Sequence, residues 1–271
     1  MNPFKQLLQT TGAAMPVGTW IMSASPLVAE AMGHAGFDWG VIDMEHTPLD
    51  LMDLVHMLQA VSGTPLLPVV RVPWNDTVNI KRVLDAGATT LLVPFVQNAE
   101  EARAAVAATR YPPEGRRGMA GMSRASKFGT TPQYLTTANA QMTVILQLET
   151  TEAIAQLEAI AAVPGVDALF IGPGDLSATM GHVGQLTHPE VLAVTADAVA
   201  RAQALGMPIG TVGGTTEVVA QYRAIGFDFI AIASDLGLLM RSAQAALASV
   251  RNTGAAPTTP TTSTTPTNGG Y

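Results

Sequence analysis

The sequence predicts an α/β protein of the (β/α)8 TIM-barrel class. Eight short, β-rich apolar runs recur along its 271 residues, and each is followed by a polar helix start and a helical pattern. The runs are continuously hydrophobic, which is typical of parallel strands buried on both faces. Eight strand–helix units in about 250 residues fit a closed barrel, whose active site lies at the carboxyl ends of the strands.

The elements follow one another in a strict strand-then-helix order. The predicted strands are PVGTWIM (16–22), FDWGVID (37–43), PLLPVVRV (65–72), TTLLVPF (89–95), MTVILQLE (142–149), VDALFIG (166–172), MPIGTV (207–212) and FDFIAIA (227–233). Polar N-cap residues mark the helices, three of them with Pro at the first helical position, where its missing N–H is no loss. The predicted starts are Ser25-Pro26, Thr47-Pro48, Asn75-Asp76, Asn98, Thr150-Thr151, His188-Pro189, Thr215-Thr216 and Asp235.

Two segments fall outside this repeat. Residues 110–140 form a Gly-, Met- and Arg-rich insertion after the fourth helix, and residues 252–271 form a Thr/Pro-rich tail with almost nothing apolar to bury. Such a composition predicts disorder in the tail. We therefore expect one barrel domain over residues 1–251 with an insertion at about 110–140. A doubly wound open sheet is the alternative, weakened because no G-x-G-x-x-G follows the first strand.

Composition excludes several classes of function. The net charge is −7 and no basic run is present, which argues against a nucleic-acid surface. The chain has no cysteine, so disulfides and thiolate metal sites are impossible. Its apolar runs fall short of the roughly 18 residues that cross a bilayer, and the N-terminus lacks the order of a signal peptide. We expect a soluble cytoplasmic protein with neither membrane nor nucleic-acid partners.

Polar side chains gather at the carboxyl ends of the predicted strands. They are Asp43, Glu45 and His46 after the second strand, Arg71 in the third, Gln147 and Glu149 in the fifth, and Asp175 in GPGDLS after the sixth. Each has a structural explanation by itself, such as an N-cap, a rim ion pair or an acid in a first helical turn. Their coincidence at one face of one barrel favours a functional site.

Glu149 and Asp175 suit a hard divalent ion such as Mg²⁺ or Mn²⁺, since carboxylate oxygens are the ligands such ions prefer. Two protein ligands leave coordination positions for water and for a chelating 2-oxo acid, whose enolate the ion would stabilise as a Lewis acid. Arg71 would add positive charge near the same oxygen. His46 is the natural base, and the N–H groups of GPGDLS can hold the substrate carboxylate.

Covalent imine chemistry is disfavoured by the placement of the lysines. A Schiff-base aldolase on this fold needs a lysine projecting from a strand. Lys5, Lys81 and Lys127 lie in the N-terminal segment, a helix and the insertion. Catalysis through a bound divalent metal ion is therefore preferred to catalysis through a lysine Schiff base.

Several motifs together resemble those of a known enzyme family. They are GTW (18–20), D-x-E-H (43–46), RVPWND (71–76), LDAGATTLLVPFV (84–96), GRRG (115–118), QLET (147–150) and GPGDLS (172–177). In order and spacing they resemble the metal-dependent class II pyruvate aldolases of the HpcH/HpaI aldolase family, typified by 4-hydroxy-2-oxoheptanedioate aldolase. The resemblance covers about residues 4–250.

The resemblance implies a (β/α)8 barrel that reversibly cleaves a 4-hydroxy-2-oxo acid to pyruvate, or an analogue such as hydroxypyruvate, and an aldehyde. It implies a role in aromatic or sugar-acid catabolism and a homohexamer. The implied cofactor is a divalent metal, Mg²⁺, Mn²⁺ or Co²⁺, with no organic cofactor. The implied roles are metal binding by Glu149 and Asp175, base catalysis by His46, enolate stabilisation by Arg71, a substrate or metal-water contact from Gln147, and carboxylate binding by the backbone at Gly174 and Asp175. Many relatives have Ala at the position of Gly174.

The resemblance also pairs His46 with an aspartate that matches Asp85. Asp85 lies near the end of the helix after the third strand, which in one barrel is the face opposite His46. Either that helix ends earlier or Asp85 comes from a neighbouring subunit; Asp43 is the local alternative. Two other functions stay open from the sequence, an acyl-CoA lyase of a related barrel and a non-catalytic 2-oxo-acid-binding protein.

Overall fold

A computed structural model describes residues 1–9 and 14–252, and its centre is a closed barrel of eight parallel strands. The strands pair in chain order, and β8 closes on β1. They are β1 (Val17–Ile21), β2 (Trp39–Asp43), β3 (Leu67–Arg71), β4 (Thr90–Val93), β5 (Thr143–Leu148), β6 (Ala168–Ile171), β7 (Ile209–Gly213) and β8 (Phe229–Ser234). The barrel prediction is confirmed, and each predicted strand is present within a few residues.

Helices follow the strands as the sequence predicts, with additional short helices in the connections. They are α1 (Pro3–Gln9), α2 (Pro26–Gly33), α3 (Leu51–Val61), α4 (Thr77–Asp85), α5 (Ala99–Thr109), α6 (Tyr134–Thr137), α7 (Thr151–Ala155), α8 (Leu157–Ala161), α9 (Pro173–Thr179), α10 (Pro189–Ala204), α11 (Thr216–Ile225) and α12 (Asp235–Asn252). The predicted N-caps Ser25, Asp76, Asn98, Thr150, His188 and Thr215 all cap their helices through a side-chain hydrogen bond.

One predicted helix start is wrong. The helix after β2 begins at Leu51, not at Thr47-Pro48, because Asp50 and Asp53 form a capping box. Oδ2 of Asp53 accepts the Asp50 N–H at 2.9 Å, and this reciprocal pairing satisfies N–H groups that would otherwise lack partners. Residues 44–50 are consequently a loop at the carboxyl end of β2, and this loop carries Glu45 and His46.

Aromatic side chains close the amino-terminal end of the barrel. Phe4 of α1 is buried and lies edge-on to Trp39 and Phe229, with ring centroids 5.7 and 5.8 Å apart. The buried Asn2 fixes α1 by donating to the carbonyl oxygens of Thr89 and Gln141, directly before β4 and β5. Apolar rings therefore close this end, and the polar residues of the candidate site lie at the opposite end, where the strands finish.

The insertion between α5 and β5 packs against the end of α4. Arg117 donates to Asp85 at 2.7 Å, and Arg124 donates to the carbonyl of Ala86 at 2.9 Å. Helix-to-strand connections lie at the amino-terminal face of such a barrel, and active sites lie at the other face. The insertion contacts of Asp85 therefore belong to the face opposite the polar strand ends.

The chain divides into two compact units, Met1–Leu236 and the residues from Gly237 onward. The first unit holds the barrel, and the second holds the remainder of α12, whose side chains at 241–251 are exposed. The expectation of one domain over 1–251 stays a prediction. The expected tail lies outside the described residues except for Asn252, the last residue of α12. Over residues 1–9 and 14–252, no helix is long and apolar enough to cross a membrane.

Candidate active site

Glu149 lies directly after β5 and is almost fully buried, with 2% of its surface exposed. Its Oε2 accepts the backbone N–H of Phe95 at 3.0 Å, and its Oε1 accepts the side-chain amide of Gln147 at 2.7 Å. These two hydrogen bonds fix the carboxylate while leaving each oxygen a further lone pair. Glu149 can therefore serve as a preformed ligand.

Gly172 makes room for this carboxylate. A Cβ at Gly172 would lie 2.3 Å from Oε1 of Glu149 and 2.8 Å from the amide nitrogen of Gln147. Only a residue without a side chain permits that approach. The glycine belongs to the GPGDLS motif, but its steric role was not evident from the sequence.

Arg71 ends β3 and is held by two acids from the β2 side of the barrel. Its Nε and Nη2 donate to the two oxygens of Asp43 at 2.9 and 2.6 Å, and its Nη1 lies 2.9 Å from Oε2 of Glu45. The guanidinium also lies over the Trp20 ring, 5.2 Å from its centroid. Bidentate pairing of this kind fixes the plane of an arginine.

The buried pair shifts the acid–base properties of both partners. Burial alone raises the pKa of Asp43, but the hydrogen bonds and charge of Arg71 bring it below its usual value. Burial likewise acts to lower the pKa of Arg71, but Asp43 foremost, followed by Glu45 and Glu149, raises it. Asp43 and Arg71 are thus fixed in their charged forms.

The mouth of the barrel carries more negative charge than Arg71 balances. Burial, then repulsion from Glu45 and Asp175, raises the pKa of Glu149 to about 8. Burial also raises the pKa of Glu45, against the opposing charge of Arg71. Oε2 of Glu45 is buried with the Arg71 ion pair as its contact, whereas Oε1 of Gln147 is buried and takes no hydrogen bond from the part of the chain described here. An excess of carboxylates beside a buried, unpartnered side-chain oxygen fits a divalent cation.

Asp175 lies in the first turn of α9 and is exposed, as is Gly174 beside it. Its charge acts on both Glu149 and Glu45. Within residues 1–9 and 14–252, the carboxylates at the mouth do not form a set of three ligand atoms within 4.8 Å of one another. A cation held here by only two of these carboxylates would keep coordination positions open for smaller ligands.

His46 lies in the loop after β2, and 60% of its side chain is exposed. Its Nε2 is 3.8 Å from Oε2 of Glu45, whereas Asp43 accepts only its backbone N–H, at 3.5 Å. Asp85 pairs with Arg117, and the described residues contain no ion pair between Asp85 and His46.

The structure thus brings the predicted residues Arg71, Gln147, Glu149, Gly174 and Asp175 to one end of the barrel, with His46 in the adjoining loop. Asp85 lies elsewhere. Glu45 joins the site through its contacts with Arg71 and His46, although sequence reasoning gave it no role. The D-x-E-H motif was the signal that contained it.

Comparisons with known proteins identify the family and agree with the barrel fold. The family model described as HpcH/HpaI aldolase/citrate lyase matches residues 17–242. The chain is 54% identical over 236 residues to the 2-dehydro-3,6-dideoxy-6-sulfogluconate aldolase of Pseudomonas putida, spanning 87% of this chain and 92% of that protein. It is 46% identical over 245 residues to a pyruvate aldolase of Rhizobium etli, spanning 90% and 96%. A crystal structure of an HpcH/HpaI aldolase/citrate lyase family protein from Burkholderia cenocepacia has a TM-score of 0.89 at 43% identity, covering 93% of this chain and 100% of that one.

Proposed function

The chain belongs to the HpcH/HpaI aldolase/citrate lyase family and is an aldolase, and from this premise we propose that it is a metal-dependent class II pyruvate aldolase. It cleaves a 4-hydroxy-2-oxo acid reversibly to pyruvate, or an analogue such as hydroxypyruvate, and an aldehyde. The observation that carries the proposal is the buried Glu149 carboxylate, held by the Phe95 N–H and the Gln147 amide at a mouth where Glu45 and Asp175 add further negative charge. The named sulfogluconate aldolase supports a substrate derived from a sugar acid.

Glu149 and Asp175 are the residues proposed to hold the metal. Their hard oxygen ligands favour Mg²⁺ or Mn²⁺, with Co²⁺ as a further candidate. When bound, the ion supplies Lewis-acid activation of the 2-oxo group. The buried, unpartnered Oε1 of Gln147 can accept a hydrogen bond from a water or a substrate hydroxyl at the same place.

The chain's own residues orient the substrate and balance its charge. Arg71, fixed by Asp43 and Glu45, places a permanent positive charge where negative charge develops on the C2 oxygen as the C3 proton leaves. The first backbone N–H groups of α9, at Gly174 and Asp175, bind the substrate carboxylate. His46 moves the proton, and its exposure in the loop leaves it accessible to a bound substrate.

Removal of metal tests the proposed mechanism. We expect a chelator to abolish both C3 proton exchange in pyruvate and decarboxylation of oxaloacetate, and Mg²⁺ or Mn²⁺ to restore both. Activity that survives the chelator contradicts the metal mechanism. Cleavage of an acyl-CoA thioester without pyruvate exchange would instead favour the acyl-CoA lyase. The non-catalytic alternative is not retained, because the chain is an aldolase.

His46→Ala tests the proton-transfer role. We expect metal affinity to be unchanged, because the proposed ligands are intact, and pyruvate proton exchange to slow by about 10²–10⁴-fold, the usual contribution of a general base. His56→Ala, which removes an exposed histidine on α3, serves as the control and should exchange at the wild-type rate. Wild-type exchange in the His46 variant removes this residue from the mechanism.

Asp85 is proposed to act on His46 of a neighbouring copy, because its own chain places it at the end of α4 beside Arg117. Mixing two inactive variants, His46→Ala and Asp85→Asn, tests this directly. If the site is shared, a mixed oligomer contains sites with both native residues, and we expect part of the activity to return. No recovery after verified subunit exchange would place Asp85 outside the shared site.

A further inference from the structure

A second group of metal-ligating side chains lies in the segment that joins α9 to α10. His182, His188 and Glu190 each offer a ligand atom, and these atoms all lie within 4.8 Å of one another. Nε2 of His182 is 3.0 Å from Oε2 of Glu190, and the two imidazole rings stack with centroids 3.6 Å apart and planes inclined by 17°. None of the three belongs to the barrel-mouth site.

The backbone of this segment holds the histidines together. The N–H of His182 donates to the carbonyl of Ser177 at 2.8 Å, which ties the turn to the end of α9. Gln185 donates to the carbonyl of His182 at 2.9 Å, and His188 donates to the carbonyl of Gln185 at 2.9 Å. A pair of short turns therefore brings His182 and His188, which lie close together in the sequence, into ring contact.

The N-terminus of α10 holds His188 and Glu190 in place. Nδ1 of His188 accepts the Glu190 N–H at 3.3 Å, and the intervening Pro189 begins the helix. This hydrogen bond is long, and a cation bound to Nδ1 of His188 can take its place.

The donor set selects a class of metal. Two imidazoles and one carboxylate suit Zn²⁺, Ni²⁺, Co²⁺ or Cu²⁺, whereas Mg²⁺ prefers oxygen ligands only. Ligand atoms around a tetrahedral zinc ion lie roughly 3.3 Å apart, given bonds of about 2 Å. The 3.0 Å separation of His182 and Glu190 is already close to that spacing. The ligand atom of His188 lies within 4.8 Å of both.

We propose that His182, His188 and Glu190 form a second cation site, specific for a borderline transition metal and separate from the carboxylate site at the barrel mouth. The ion would link the end of α9, the helix that carries Asp175, to the start of α10. The fourth coordination position is left to water, because the segment supplies three protein ligands. This site does not depend on the proposed function.

Calorimetric titration with Zn²⁺, in the presence of excess Mg²⁺, tests the proposal. We expect the full-length protein to bind Zn²⁺ at this site, and His182→Asn and Glu190→Gln each to weaken that binding at least tenfold. His34→Asn, which removes another exposed histidine, is the matched control and should bind like the wild type. Circular dichroism confirms that each variant is folded.

A Glu149→Gln variant separates this site from the barrel mouth. It should retain the same Zn²⁺ affinity at the histidine site even if its activity is lost. Unchanged Zn²⁺ affinity in His182→Asn would show that the ion binds elsewhere and overturn the proposal. No Zn²⁺ binding to the wild type in excess Mg²⁺ would overturn it as well, leaving only a hydrogen bond between His182 and Glu190.

Discussion

Glu149→Gln is expected to abolish metal-dependent activity while stabilising the metal-free protein at alkaline pH. The substitution keeps the size of the side chain but removes a charge that the barrel mouth disfavours. If Glu149 is the proposed metal ligand, its loss removes the charge stabilisation that the ion would provide, which is worth several kcal/mol in such sites. We therefore expect activity to fall by about 10³-fold or more.

The opposite effect on stability follows from the raised pKa of Glu149. In the folded, metal-free protein this carboxyl stays protonated up to about pH 8, whereas in the unfolded chain it ionises near its ordinary value of 4.5. Between these two values the folded state binds the extra proton, so the free energy of unfolding falls as pH rises. At about 1.4 kcal/mol per pKa unit, the loss reaches at most about 5 kcal/mol above pH 8.

Urea unfolding of metal-free protein from about pH 5 to about pH 9 measures this effect. The wild type should lose stability across the range and regain it with Mg²⁺, since a ligand that binds only the folded state stabilises it. Glu149→Gln should show a flatter profile and no response to Mg²⁺. Glu152→Gln, an exposed glutamate in the first turn of α7, is the matched control and should follow the wild type. Parallel profiles for wild type and Glu149→Gln would show that Glu149 ionises normally.

Arg71→Met is expected to destabilise the protein by about 3–5 kcal/mol, the usual cost of removing one member of a buried ion pair. Methionine preserves much of the hydrocarbon volume over Trp20 but leaves the buried Asp43 carboxylate without its partner. Activity should also be lost, because no fixed positive charge remains near the substrate oxygen. Urea unfolding and pyruvate exchange measure the two effects separately.

Two further variants distinguish the structural effect from the catalytic one. Arg201 makes an equally bidentate pair with Glu158, at 2.6 Å for both contacts, but that pair is exposed, so Arg201→Met should cost at most about 1 kcal/mol. The double variant Asp43→Asn/Arg71→Met removes both buried charges and should recover much of the lost stability without activity. Equal losses for Arg71→Met and Arg201→Met would contradict the importance of burial.

The order of the elements could be predicted because its signals are local. Each strand is a short apolar run, and most helices are preceded by a recognisable N-cap residue such as Asn98 or Thr150. The helix after β2 shows where local signals compete. Thr47-Pro48 carries the start signal used for the prediction, but the reciprocal bonding of Asp50 with Asp53 places the start after Asp50.

The sequence by itself determined the barrel and the polar residues at its mouth, because parallel strands place their carboxyl ends at one face whatever their detailed packing. Only the tertiary structure determined the burial, the contacts and the neighbouring charges of those residues. The pKa of Glu149 depends on burial and on charges from separate segments of the chain, and Gly172 matters because a side chain there would collide with Glu149 and Gln147 at the end of the neighbouring strand. The position of Asp85 likewise follows from where α4 ends and what the insertion covers. Such effects arise from distances between remote residues, and no local pattern in a chain encodes those distances.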